Sequence, residues 1–119
     1  MLNRRMLRIK AFKTLYSFAE DPSMTIDEAR SQLEMSCEAT RNLYLFMLDI
    51  IPAVSSMAAM RIEEARNKFN PTEEELNPNM KFARNALAPL LENDPDFCKA
   101  ISKGKFSWEQ YDAFIRSLY

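Results

Sequence analysis

Five basic residues, Arg4, Arg5, Arg8, Lys10 and Lys13, fall within the first thirteen positions, with no acid among them. The whole 119-residue chain carries a net charge of −1, so the remainder carries −6. Guanidinium groups bunched in this way suit one kind of chemistry. Each offers a planar fork of N–H donors to a phosphate, and each neutralised phosphate releases counterions. Cations at a helix start also oppose the helix dipole, at about 0.3–1 kcal/mol each. Charge placed against local preference points to an anionic partner. Arg4, Arg5 and Arg8 are therefore expected to bind RNA or another polyanion, with Lys10 and Lys13 as weaker members of the same site.

Little else in the chain has the chemistry for catalysis. There is no histidine, which removes the commonest general base and metal ligand. Gly104 is the only glycine, so loops that cradle phosphates or oxyanions with glycine are absent. Cys37 and Cys98 are isolated, without CxxC spacing, and read as reduced core residues of a cytoplasmic protein. Eight methionines read as core filler rather than a cofactor site. Glu73-Glu74-Glu75 reads as a solvated helix start, since it lacks the neighbours of a calcium loop. Neither an enzyme nor a cofactor or metal site is expected.

The elements that must position the basic cluster are all helical. At 3.6 residues per turn, Leu7, Ala11, Leu15 and Phe18 form one stripe, and Met6, Ile9, Phe12, Tyr16 and Ala19 a second. A helix is expected from about Asn3 to Glu20, stopped by Pro22. Thr25-x-x-Glu28 reads as a capping box for a second helix with Ile26, Ala29, Leu33 and Cys37 on its apolar side. Leu43–Leu48 is apolar all round and is expected to be the buried centre of the fold. A membrane span over 43–60 is not expected. Asp49, Pro52, Ser55 and Ser56 interrupt it, and a centred aspartate alone costs roughly 2.5–3.5 kcal/mol on insertion scales.

Later punctuation predicts shorter helices. Pro52 should kink the rod or start its second half, and Asn70-Pro71 should end it. Thr72-x-x-Glu75 caps at most one turn, and Asn79 is the expected cap of a helix running through Met80, Ala83, Leu87 and on toward Leu90, which Pro89 makes either one kinked helix or two short ones. Asp94-Pro95 opens another helix that Gly104 closes, and Ser107-Trp108-Glu109-Gln110 reads as a capping box for the last. No segment alternates as a strand would. The expected fold is all-α, a compact single domain over residues 1–119 with about six or seven helices.

Two stretches carry a resemblance. Arg4-Arg5-x-x-Arg8 followed by Thr14-Leu15-Tyr16 resembles the opening of the NusB family of bacterial transcription antitermination factors, departing from it at Met6 and Ile9. The segment Phe69-Asn70-Pro71-Thr72 through Leu76-Asn77-Pro78-Asn79-Met80-Lys81-Phe82, then Asn85, is similar to long NusB proteins of the Bacteroidetes, as are Trp108 and the closing Ile115–Tyr119. The resemblance implies an all-helical NusB-like N-terminal domain and no catalysis. It implies binding of boxA-type single-stranded leader RNA through the basic first helix, alongside a small-subunit ribosomal protein (NusE) in the antitermination complex of RNA polymerase. Tyr16, the family's tyrosine, would contact that protein partner; Phe12 is a second candidate for that contact, while from the residues alone Ile9 and Phe12 read first as core filling. The family's second helical half has no counterpart in these 119 residues, which therefore read as the N-terminal part of a longer NusB protein. A single small bundle covers only one of the first helix's two stripes, so an exposed apolar face is expected, covered by a C-terminal domain, by a second copy through self-association, or by the ribosomal protein. The alternative reading is a helical protein–protein adaptor without intrinsic RNA binding.

Overall fold

A computed structural model describes residues 2–119. Among the described residues the chain is helical and has no strand. The helices are α1 (Arg4–Glu20), α2 (Ile26–Leu48), α3 (Ile50–Arg66), α4 (Glu73–Leu76), α5 (Leu87–Glu92), α6 (Pro95–Gly104) and α7 (Asp112–Leu118), with a 3-10 turn, Glu109–Tyr111, before the last. They fall into two units, Met1–Tyr44 and Leu45–Tyr119.

In the first unit, local chemistry sets both helix starts. Asn3 Oδ1 accepts from the Met6 amide at 2.9 Å and caps α1. Asp21, the residue before Pro22, is extended, as proline requires of its predecessor, and ends the helix. Asp21 Oδ1 then accepts from the amide and hydroxyl of Ser23, which holds its carboxyl below the ordinary aspartate value. The expected capping box forms: Thr25 Oγ1 accepts from Glu28 N at 3.2 Å, and Glu28 Oε2 accepts from Thr25 N at 2.8 Å. Ala11, Thr14, Leu15 and Phe18 of α1 line a common groove with Ile26, Ala29 and Leu33 of α2, so the two apolar stripes legible in the sequence face one another. Thr14 is the buried residue of α1.

In the second unit α3 is the central element, packing against α4, α5 and α7, while α6 packs on α5. The buried apolar residues are Met57 and Ala58 of α3, Ala88 of α5 and Ile115 of α7. Buried Ser55 is satisfied by the Asn85 side-chain amide, which also donates to the Phe82 carbonyl at 2.9 Å.

Two prolines set the helix breaks. A proline cannot donate to the carbonyl four residues earlier, and its ring collides with it. Pro52 therefore separates α2 from α3 just after Leu48, and Pro89 prevents α5 from reaching back through Asn85. The helix expected from Asn79 through Leu87 is thus corrected. Asn79 holds only a turn (Lys81 N to Asn79 Oδ1, 3.0 Å), and α5 begins at Leu87, with Asn85 Oδ1 accepting from the Leu87 and Ala88 amides.

Residues 43–48 are not the buried centre. Leu43, Tyr44 and Met47 are 59%, 63% and 52% exposed, and burial is concentrated instead at Ser55–Ala58. An apolar circumference disfavours water without specifying what covers it. By length and composition the stretch Ile26–Arg66 would pass for a membrane span, as core helices also do.

Two further caps differ from expectation. Ser107 Oγ accepts from Glu109 N at 3.2 Å, two residues on, so a 3-10 turn forms where a capping box was expected. Gly104 is the last residue of α6, and Lys105 takes the left-handed conformation (φ 53°) that closes it.

Candidate nucleic-acid interface

The basic cluster occupies the first turns of α1, where no acid offsets it. Arg4, Arg5, Arg8 and Lys13 are exposed, and none of them forms an ion pair among the described residues. Three cations elsewhere on the chain are tied to acids, Arg30 to Glu34 at 3.1 Å, Arg116 to Asp112 at 2.7 Å, and Lys68 to Glu75, while the other eight form no ion pair among the described residues. The arginines of α1 thus keep their N–H donors for an outside acceptor.

Lys10 is different. Its ammonium donates to the Ser36 carbonyl at 2.7 Å and to Ser36 Oγ at 2.9 Å, fastening α1 to α2. The Ser36 carbonyl also accepts from Thr40 Oγ1 at 3.3 Å. Of the five basic residues singled out in the sequence, four lie open on α1 and one is engaged within the unit. Composition carries no signal of that division, because the acceptor lies 26 residues away.

Arg5, Arg8, Phe12 and Tyr16 follow one another at intervals of three, four and four residues, which on a helix keeps them along one side. Phe12 is 70% and Tyr16 60% exposed. The start of that side therefore offers guanidinium forks and its continuation offers aromatic rings. Ile9 and Met6 extend the apolar surface around the helix. Arginine forks can hold phosphates, and the rings can lie against bases or an apolar protein surface. Nothing on α1 resembles a nucleophile with its base, and no group of three metal-ligating side chains occurs among the described residues.

A second concave site lies wholly within the second unit and was not foreseen in the sequence. It is a cleft of about 390 Å³ whose walls include Pro52, Met57, Met60, Phe106, Trp108 and Ile115, with the acidic residues Asp49 and Glu109 also among its lining. Trp108 is fixed there by a 3.0 Å hydrogen bond from its indole N–H to the Phe46 carbonyl, and by a near-parallel stack on the Phe46 ring. Asp49 precedes α3 but makes no side-chain capping bond, and burial pushes its carboxyl above the ordinary aspartate value. The sequence signal was a lone acid bounding an apolar run, which by itself says only that membrane insertion is unfavourable.

No protein-family model, curated protein or solved structure matches this chain.

Proposed function

We propose that this protein is a non-catalytic, RNA-binding transcription antitermination factor of the NusB kind. In this reading Arg4, Arg5 and Arg8 hold phosphates of a boxA-type single-stranded leader RNA, with Lys13 adding charge. A small-subunit ribosomal protein in the role of NusE docks alongside on Phe12 and Tyr16, within the antitermination complex of RNA polymerase. The compact helical bundle of that family, acting in the cytoplasm, belongs to the same proposal. The observation that carries it is the unpaired arginine cluster at the start of α1, set against the helix dipole and followed on the same side by exposed rings. The residue patterns at Arg4–Tyr16 and Phe69–Asn85 give the reading its family.

The test is the salt dependence of RNA binding. Log K for a boxA-type single strand should fall with log salt concentration. Changing Arg4, Arg5 and Arg8 together to Ala should flatten that slope by up to about 0.7 for each phosphate that is no longer neutralised. Lys10→Met should leave the slope nearly unchanged, because Lys10 is engaged by Ser36. An unchanged slope in the triple variant would remove α1 from the RNA site.

The exposed Phe12, Leu15 and Tyr16 favour a second reading, a helical adaptor that binds protein alone. Absence of RNA binding at low salt, together with capture of a ribosomal protein that Phe12→Glu abolishes, would select it.

A further inference from the structure

We propose that the cleft beside Trp108 is a docking site for an arginine or lysine side chain presented by a partner protein, its aliphatic stem lying on Met57, Met60 and Phe106 and its cation meeting Asp49 and Glu109. The inference does not rest on the RNA reading, which concerns the opposite charge and a different unit.

The cleft's chemistry is amphipathic in a specific sense. Met57 and Ile115, both buried, give it an apolar floor, and exposed Glu109 gives it an acidic rim. Asp49 is half-buried, forms no ion pair among the described residues and caps nothing. A carboxylate withdrawn from water without a partner is costly, and an incoming cation removes that cost. Among the described residues no lysine or arginine lines the cleft to do so. Among cationic ligands, a bare metal ion would find too few oxygen donors, and the apolar walls would contribute nothing to it. A long basic side chain matches both halves, since it carries an apolar stem beneath a charged head. The Trp108 wall is held in place by its stack on Phe46 and by the indole hydrogen bond, so this wall is formed before a ligand arrives.

Trp108 is the only tryptophan of the chain, so its fluorescence reports on the cleft directly. The intact protein is titrated with a blocked alanine pentapeptide carrying a central arginine, and with the same peptide carrying citrulline, its uncharged isostere. The arginine peptide should give a saturable change and bind at least tenfold more tightly than the citrulline peptide. Asp49→Asn should reduce that ratio to less than threefold, and Glu109→Gln should reduce it more modestly. Circular dichroism confirms that each variant keeps its helices. Free ethylguanidinium should bind at least tenfold more weakly than the arginine peptide, and equal binding would reject a protein source for the cation. No saturable response to the arginine peptide, an equal response to both peptides, or a ratio untouched by Asp49→Asn would overturn the proposal.

Discussion

The Trp108 indole lies flat against the Phe46 ring, with centroids 4.1 Å apart and planes 4° from parallel, while its N–H donates to the carbonyl of that same residue at 3.0 Å. Sixty-two positions separate them in the chain. Phe46 sits in the last turn of α2, where carbonyls run out of intrahelical donors. One side chain therefore covers an aromatic face and satisfies a helix end. Phe106 and Tyr111 approach the Phe46 ring at 6.1 Å, tilted and edge-on respectively, and complete an aromatic cluster that joins the end of α2 to the segment after α6.

The two roles of Trp108 can be separated by mutation. Trp108→Phe keeps an aromatic pair, worth about 0.5–1.5 kcal/mol beyond its area, but removes the donor to the Phe46 carbonyl at about 1 kcal/mol. Trp108→Ala removes both, and because the residue is only half-buried the expected loss is about 2–4 kcal/mol rather than more. Urea unfolding followed by far-ultraviolet circular dichroism measures both. Equal losses for the two variants would show that the hydrogen bond dominates and that the stack adds nothing.

The end of α6 offers a pair of neighbouring changes with opposite signs. Lys105 holds the left-handed conformation at φ 53°, a region that costs an ordinary residue about 1–2 kcal/mol. Lys105→Gly should therefore stabilise the fold by up to about 1 kcal/mol, less the extra freedom glycine gives the unfolded chain. Gly104 is needed for a different reason: a Cβ there would collide with the Phe106 ring. Gly104→Ala should destabilise by about 1–3 kcal/mol, the overpacking cost exceeding the better helix propensity of alanine. Thermal unfolding of the two variants against the parent reads both signs.

Asp49 gives the cleft a defined pH response. Burial raises its carboxyl in the folded protein above the aspartate reference of 3.8. The folded state then binds that proton more tightly than the unfolded chain does, so the ionised group costs stability. The cost is complete above the raised value and gone below 3.8. Asp49→Asn should be more stable than the parent at pH 7, with the difference shrinking as pH falls through the raised value. Paired urea titrations from pH 7 to pH 3 follow that difference. A variant less stable than the parent at pH 7 would show that Asp49 has a favourable partner.

What could be read in the sequence was local. The start and end of α1, the Thr25–Glu28 box and the Asp94 cap on Phe97 N all depend on residues within a few positions of one another. Features that depend on distant partners could not be read. Lys10 is equivalent to Lys13 by composition, and only the fold sets the Ser36 carbonyl beside it. Leu43–Leu48 has the apolar circumference of a core, yet burial falls one turn beyond Pro52, where α5 and α7 cover α3. Gly104 has the residue type of a left-handed closer for α6, but the Phe106 ring requires the small residue one position earlier. The cleft at Asp49 combines residues from α3, the 106–109 segment and α7, a juxtaposition that no spacing encodes.

The exposed side of α1 supplies the last prediction. Phe12 and Tyr16 are more than half exposed, and Leu15, which borders the groove shared with α2, is 65% exposed. A surface residue away from caps and cores usually changes stability by no more than about 0.5 kcal/mol when replaced. Phe12→Glu should therefore leave the unfolding midpoint almost where it was. Contiguous apolar surface of this kind on a soluble protein generally marks an interaction face. The same variant should thus bind less of a hydrophobic dye and self-associate less across a concentration series in sedimentation. Lys10→Met supplies the contrast: it should lower stability by about 1 kcal/mol through loss of its bonds to Ser36, while leaving dye binding unchanged. A Phe12→Glu protein that is badly destabilised, from a parent that is monomeric and binds no dye, would show that Phe12 belongs to a packed core and not to a partner surface.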